Sequence, residues 1–542
     1  MMNVKAYLTV IAAAATITSC DLDQIPEGGI VLEDQKNDVV NDSPEKIQAD
    51  LNALKDNMIQ FNTQGDERHY DYGFPAVCLM LDQAGQDMVS DNHGYNWFNN
   101  QLTFSDRIPE AENNEFAWKL FYTHIKSANN VLSTLYAANP NEADRVGEVA
   151  NYIGQALASR AFDYLQLIQM YQFTYQGHEQ ALGLPIVTEE TTQEQAINNP
   201  RVSVQEVYDL IIKDLDTAIK YLQENSIKRT DKAQIDVAVA YGLRARANML
   251  LGKYAEAASD AENALSLSGA TPYSFNDVSV PSFNDVSASS WIWGSIITAN
   301  NDVVQTGIIN WPSHLCSLTG NGYTTGTGMS VAMKRINNTL WNKIPATDVR
   351  KTWWLDQDTL STALEKAYGI TGTQCVHEVG LPYIPYVNVK FGPEGNQFLN
   401  TENSQDWPLM RAEEMILIKA EALARSQGVG AGKTVLEDFV KSYRDPEYTC
   451  TASSLDAFID EVWFQRRVEL WGEGFSLFDI LRLKKPIVRI GTNFAADVTY
   501  ADIAPESPIM IYCIPEVETS ANKGIPLDQI NEVATPPTPI QQ

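Results

Sequence analysis

Three segments of this chain repeat their apolar residues every three to four positions, and that period restricts the fold more than any other feature. In Asn151–Tyr171 the residues Ile153, Leu157, Ala161, Tyr164, Ile168 and Tyr171 fall on one helical face, and Val204–Leu222 and Ile235–Leu251 repeat the pattern. Further helices are expected at Phe116–Leu135, Leu409–Arg425, with the stripe Ala412, Ile416, Ala420 and Leu423, and Ser454–Trp471. Amphipathic helices in this number must bury their stripes against one another, so the chain is expected to be mainly α.

The third segment is lined by small residues. Ala238, Gly242, Ala245 and Met249 lie on one side and permit close approach of a neighbouring helix. Leu251-Gly252-Lys253-Tyr254 then makes a tight turn into Ala257, Ala261, Ala264 and Leu265. This hairpin resembles one tetratricopeptide unit of about 34 residues, and such units need stacked neighbours to cover their faces. Between Thr271 and Pro408 the period disappears. The stretch is rich in Ser, Asn, Gly, Thr and aromatics, with short apolar runs at Trp291–Thr298 and Tyr383–Phe391. The expected fold is therefore a tetratricopeptide-like helical hairpin scaffold bearing a long irregular insertion of loops and short strands, where binding sites tend to lie. The Pro-rich end, Thr535–Gln542, is expected to fray.

The first twenty residues hold Lys5, an apolar run from Ala6 to Thr18 too short to span a bilayer, and the small-residue site Ile17-Thr18-Ser19-Cys20. This resembles a bacterial lipoprotein signal, with cleavage before Cys20 and lipid attachment to its thiol. No later run reaches the roughly eighteen apolar residues of a membrane span. The other cysteines, Cys78, Cys316, Cys375, Cys450 and Cys513, are odd in number and irregularly spaced, which suits neither a disulfide framework nor a zinc site and fits buried small hydrophobes. With 39 Lys+Arg against 69 Asp+Glu the net charge is −30, which repels phosphate backbones and excludes a nucleic-acid partner.

Catalytic and cofactor motifs are missing. Gly428-Val429-Gly430-Ala431-Gly432-Lys433-Thr434 fails the phosphate-loop spacing because Gln427 stands where the first glycine belongs, and it reads as an inter-helix connection. His69, His93, His124, His178, His314 and His377 are scattered without metal spacing, and there is no G-x-S-x-G elbow. Asp82, Asp87 and Asp91 lack the glycine and terminal glutamate of a calcium loop and read as a solvated acidic loop. Acidic residues are too abundant for any pair to mark a glycoside hydrolase. Aromatic and amide residues stand out in the stretches without period: Tyr95-Asn96-Trp97-Phe98-Asn99-Asn100, Trp311, and Tyr323 in a Gly/Thr-rich loop. Sugar rings stack their apolar faces on Trp and Tyr while amides bond their hydroxyls, so the candidate ligand-binding residues are Trp97, Asn96, Asn99, Trp311 and Tyr323. Trp118, Trp463 and Trp471, on helical stretches, are expected in the core.

Several stretches together resemble the SusD/RagB family of outer-membrane nutrient-binding lipoproteins. They are the signal ending at Cys20 with Asp21 and Asp23; Ala158-Ser159-Arg160-Ala161-Phe162 leading to Gly183-Leu184-Pro185; and Arg411-Ala412-Glu413-Glu414 through Lys419-Ala420-Glu421-Ala422. To these add Arg466-Arg467-Val468-Glu469-Leu470 with Gly472-Glu473-Gly474 and Phe478-Asp479-Ile480, then Ile514-Pro515 with Glu518, Asn522 and Gln529. Arg160, inside an apolar stripe, requires a buried carboxylate partner, so these motifs identify a fold rather than a site. The resemblance implies a SusD-like helical fold, no catalysis, no cofactor and no metal. It also implies an oligosaccharide ligand, a SusC-like TonB-dependent transporter as partner, and attachment to the outer membrane through lipid on Cys20, exposed at the cell surface. A peptide-binding member of the same family and a helical glycoside hydrolase are the alternatives. The expected organisation is a signal peptide over 1–19, a lipidated tether over 20–42, a helical scaffold over 43–270, the insertion over 271–408 and a C-terminal helical part over 409–542.

Overall fold

A computed structural model describes residues 47–540, apart from 93, 226, 325–331 and 375–381. The expected signal peptide, Cys20, the tether and Cys375 lie outside the described residues.

The helices that build the body are α1 (Gln48–Asn57), α2 (Phe74–Ala84), α3 (Glu112–Ala138), α4 (Gly147–Tyr171), α5 (Val204–Asn225), α6 (Val237–Leu251) and α7 (Tyr254–Ser268). After the insertion come α8 (Ala412–Gln427), α9 (Val429–Tyr443), α10 (Leu455–Glu469) and α11 (Ser476–Arg482). Each of α3 to α7 packs on the next, and α7 then packs on α8, which carries α9 and α10. The helical array is thus continuous in space although the insertion interrupts it in sequence. A second small core, with Leu417, Leu436, Phe439, Phe458 and Val462, fills the space between α8, α9 and α10. Among the described residues no helix is long and apolar enough to cross a membrane.

The local reasons follow the residues. α5 buries Val207, Ile211, Leu215, Ala218 and Leu222 on one face, as its period requires. α4 is buried nearly all round, so its polar residues need internal partners. Arg160 finds them: it donates to both carboxylate oxygens of Asp214 at 2.7 and 2.9 Å, to Glu189 at 2.5 Å and to Asn129 at 2.7 Å. Asp236 caps α6 by accepting from the Val239 N–H, and Gly252, at φ 74°, ends it in the left-handed conformation that glycine adopts without strain. The small-residue side of α6 faces more than a helix. A Cβ at Gly242 would collide with Met410, on a strand, and would press on Met415 of α8.

The insertion has little regular structure. Strand β2 (Trp291–Ser295) pairs antiparallel with β4 (Trp407–Arg411), and the two-residue β1 (Met88–Val89) pairs with β3 (Arg335–Ile336). Two expectations are corrected here. Leu409 and Met410 belong to β4, and α8 starts at Ala412, because pairing with β2 holds these apolar residues extended. The tail is docked as far as Ile540, whose N–H donates to Thr499 O at 2.9 Å. Cys78, Cys316, Cys450 and Cys513 are buried free thiols. Trp118 and Trp471 are core, whereas Trp463 is half-buried under the Arg467 guanidinium, 4.7 Å from its ring.

Candidate ligand-binding face

The loop leaving β1 is braced from inside by Asn96, which is buried. Its amide exchanges two hydrogen bonds with the Gln83 amide on α2, at 3.0 and 3.2 Å, and its Nδ2 donates to Asp91 O at 2.9 Å. Its Oδ1 also accepts from Lys334 Nζ at 3.0 Å. Phe98 is fully buried two residues on. With Asn96 and Phe98 fixed inward, the residues between and before them are turned outward. Tyr95 is 42% exposed and Trp97 half-buried.

His69 comes from the loop between α1 and α2 and stacks on Trp97, with ring centroids 4.5 Å apart and planes 27° from parallel. Tyr323, from the insertion, brings its hydroxyl against His69 Nδ1. The Tyr323 ring lies 5.7 Å from Tyr95 and 4.6 Å from His314, which in turn stacks on Tyr72 at 5.1 Å. Three segments distant in sequence thus meet in one aromatic face, with Tyr95, Trp97 and His69 outermost and Tyr323 and His314 beneath.

The face is electrically quiet. Burial lowers the pKa of His69, and burial together with the nearby Lys334 amine lowers that of His314 well below the ordinary range, so both rings are neutral at pH 7. Burial brings Lys334 itself down to about 7 and pushes the Tyr323 phenol up. Two charged pairs lie nearby: Asp91 with Arg335 at 3.0 Å, and Glu112 with Arg68 at 2.6 Å. Such a surface offers stacking area and hydrogen-bonding edges to an uncharged ligand.

Of the five residues chosen from sequence, Trp97 and Tyr323 are brought together, although Tyr323 is itself only 2% exposed and supports the face from beneath, and Asn99, half-buried, starts the adjoining short helix Asn99–Thr103. Asn96 is an internal brace rather than a ligand contact. Trp311 is corrected: it is 2% exposed, its indole N–H donates to Gln405 O at 2.9 Å, and its ring packs edge-on against Phe391 and Trp407. The Asn310 cap and Pro312 turn the short helix Trp311–Leu315 inward, and that helix is buried throughout. Tyr95 and His69 are the residues sequence reasoning missed. Tyr95 shares its outward side with Trp97 two positions on, which the sequence carried as a signal; nothing in it linked His69 to either.

The remaining acidic and glycine-rich candidates are structural. Asp82 and Asp87 are buried rather than solvated: Asp82 accepts from the Gly474 and Ser476 N–H groups at 3.0 and 3.1 Å, and Asp87 pairs with Arg467. Among the described residues no cluster of His, Cys, Asp or Glu is placed to hold a metal ion. Gly428 links α8 directly to α9, so the glycine-rich stretch is itself helical.

Comparison with known proteins agrees with this architecture. Residues 33–249 match the family model described as SusD-like, starch-binding associating with outer membrane, and residues 368–525 match that of the SusD family. A SusD-like carbohydrate binding protein from Bacteroides vulgatus is 26% identical over 90% of this chain and 98% of its own, with a TM-score of 0.72. A SusD superfamily protein from Bacteroides thetaiotaomicron is 18% identical over 89% and 98%, with a TM-score of 0.67. A laminarin-binding SusD-like protein is 19% identical over 89% and 98%, with a TM-score of 0.61, so these last two speak for the fold alone. None of the curated proteins compared is similar in sequence. The helical array, the inserted irregular segment and both family matches lead to one conclusion: the chain belongs to the SusD/RagB family, whose members associate with the outer membrane.

Proposed function

We propose that this protein captures an oligosaccharide on the face formed by Tyr95, Trp97 and His69, with Tyr323 supporting it from beneath. It then delivers that ligand to a SusC-like TonB-dependent transporter while tethered to the outer membrane, at the cell surface, by lipid on Cys20. The observation that carries the reading is the stack of His69 on Trp97 beside the exposed Tyr95, a neutral aromatic surface braced from below by Asn96 and Lys334. Sugar rings present apolar C–H faces to such surfaces. The Asn99 side chain, at the edge of the face, is assigned to the sugar hydroxyls. The carbohydrate-binding relative from Bacteroides vulgatus supports the ligand class.

The protein acts by binding and not by cleavage. Glycoside hydrolysis needs two free carboxylates facing each other about 5–10 Å apart, whereas Asp91 and Glu112 are ion-paired and Asp71 accepts from Thr63 Oγ1 and the Gln64 N–H. Calorimetry of the full chain against oligosaccharides and peptides tests the reading. An oligosaccharide binds, is recovered intact, and loses about 1–3 kcal/mol of binding free energy with Trp97→Ala. Binding of peptides alone, or release of shorter sugars, contradicts it.

A further inference from the structure

A cavity of about 280 Å³ lies under α1, between α4 and β2. Its lining combines Leu54, Met58 and the ring of Trp293 with Gln155, Ser159 and Ser295. The polar members are unusual. A serine within a helix can satisfy its hydroxyl on the carbonyl four residues back, as the partly exposed Ser127 and Ser268 and the exposed Ser426 do here. Ser159 is 7% exposed and Ser295 5%, and both hydroxyls open onto the cavity. Gln155 spends its amide N–H on Asn151, leaving its carbonyl oxygen open to the cavity. Buried polar groups need partners, so these three call for a ligand or solvent that both donates and accepts.

Charge narrows the class. Lys55 at the rim is matched by Asp231 at 3.8 Å, and both ring nitrogens of His124 are engaged, by Asp163 and by Leu54 O. Asp56, which also lines the cavity, is exposed to solvent; apart from it the lining presents no unmatched charge, while Trp293 supplies a wall for an apolar face. The volume falls just below the range of drug-sized sites, about 300–1,000 Å³. We propose that this cavity is a second binding site, for a neutral polyhydroxylated ring of single-sugar size. It is separate from the aromatic face and independent of the function proposed for it.

Saturation-transfer NMR of the full chain with methyl β-glucopyranoside, methyl β-galactopyranoside and methyl α-mannopyranoside tests this site. At least one glycoside is expected to receive saturation from the wild-type and Trp97→Ala proteins alike. The double variant Ser159→Ala/Ser295→Ala, with an unchanged thermal midpoint, is expected to raise the Kd of that glycoside at least tenfold. The proposal is overturned if no glycoside responds, if Trp97→Ala abolishes the response, or if the double variant leaves the Kd unaltered.

Discussion

Replacing Glu469 by Ala is expected to lower the unfolding free energy by about 3–5 kcal/mol, the cost of leaving buried cations unmatched. Its carboxylate is fully buried and accepts from Arg444 at 2.8 and 2.9 Å, from Arg350 at 3.3 Å and from Arg411 at 3.4 Å. Arg350 also bonds Asp348, Arg411 also bonds Glu473, and Glu413 also bonds Arg444, so the cluster joins α8, α10 and the insertion. Burial alone raises the Glu469 pKa, and the three guanidiniums, Arg444 foremost, overcome it and hold the carboxyl well below its ordinary range. Glu421 follows the same balance: burial raises it, and Arg482 and Arg425 bring it down to about 2. A carboxyl whose folded pKa is depressed contributes stability above its unfolded value of about 4.5 and loses it as pH falls. Stability is therefore expected to drop between pH 4.5 and 2, and to drop less in Glu421→Gln, which has no carboxyl to titrate. Urea titrations of wild type, Glu469→Ala and Glu421→Gln across this range check both statements; an unaltered midpoint for Glu469→Ala would mean that the cluster is not integral to the fold.

Trp311→Ala has an expected cost of similar size, about 3–5 kcal/mol, but from a cavity rather than from charge. The indole is enclosed by Phe391 and Trp407 and tied to Gln405 O, so its removal forfeits buried area and packing together. Glycan affinity of the remaining folded protein is expected to be unchanged. Chemical denaturation paired with calorimetry separates the effects, since a stable variant with lost affinity would return Trp311 to the binding face.

The helical scaffold was legible because helix formation is local. The stripes of α4, α5 and α6, the turn at Gly252 and the need of Arg160 for a carboxylate all follow from residues within a few turns of one another. The aromatic face was legible only in its Tyr95–Asn100 segment, since the stack on His69 and the contact with Tyr323 are made by chain reversals that no nearby residue announces. Trp311 shows the limit of composition. The insertion looks like surface, yet Trp291, Trp293, Trp311, Trp353, Trp354 and Trp407 are all buried, because a segment this long folds over its own aromatics. Loop sequence reports the absence of helical period and does not report exposure. The same limit applies to Asp82 and Asp87, whose partners Gly474, Ser476 and Arg467 are supplied from the far end of the chain.

The central claim, that the ligand sits on the face built around Trp97, is tested most directly by amide hydrogen exchange of the full chain with and without a saturating oligosaccharide. Slowed exchange is predicted in the segments around His69, Tyr95–Asn99 and Tyr323, which only the aromatic face brings together. Protection confined to the helical hairpins, for example around Arg244 and Asp260 between α6 and α7, with none at Tyr95–Asn99, would contradict it.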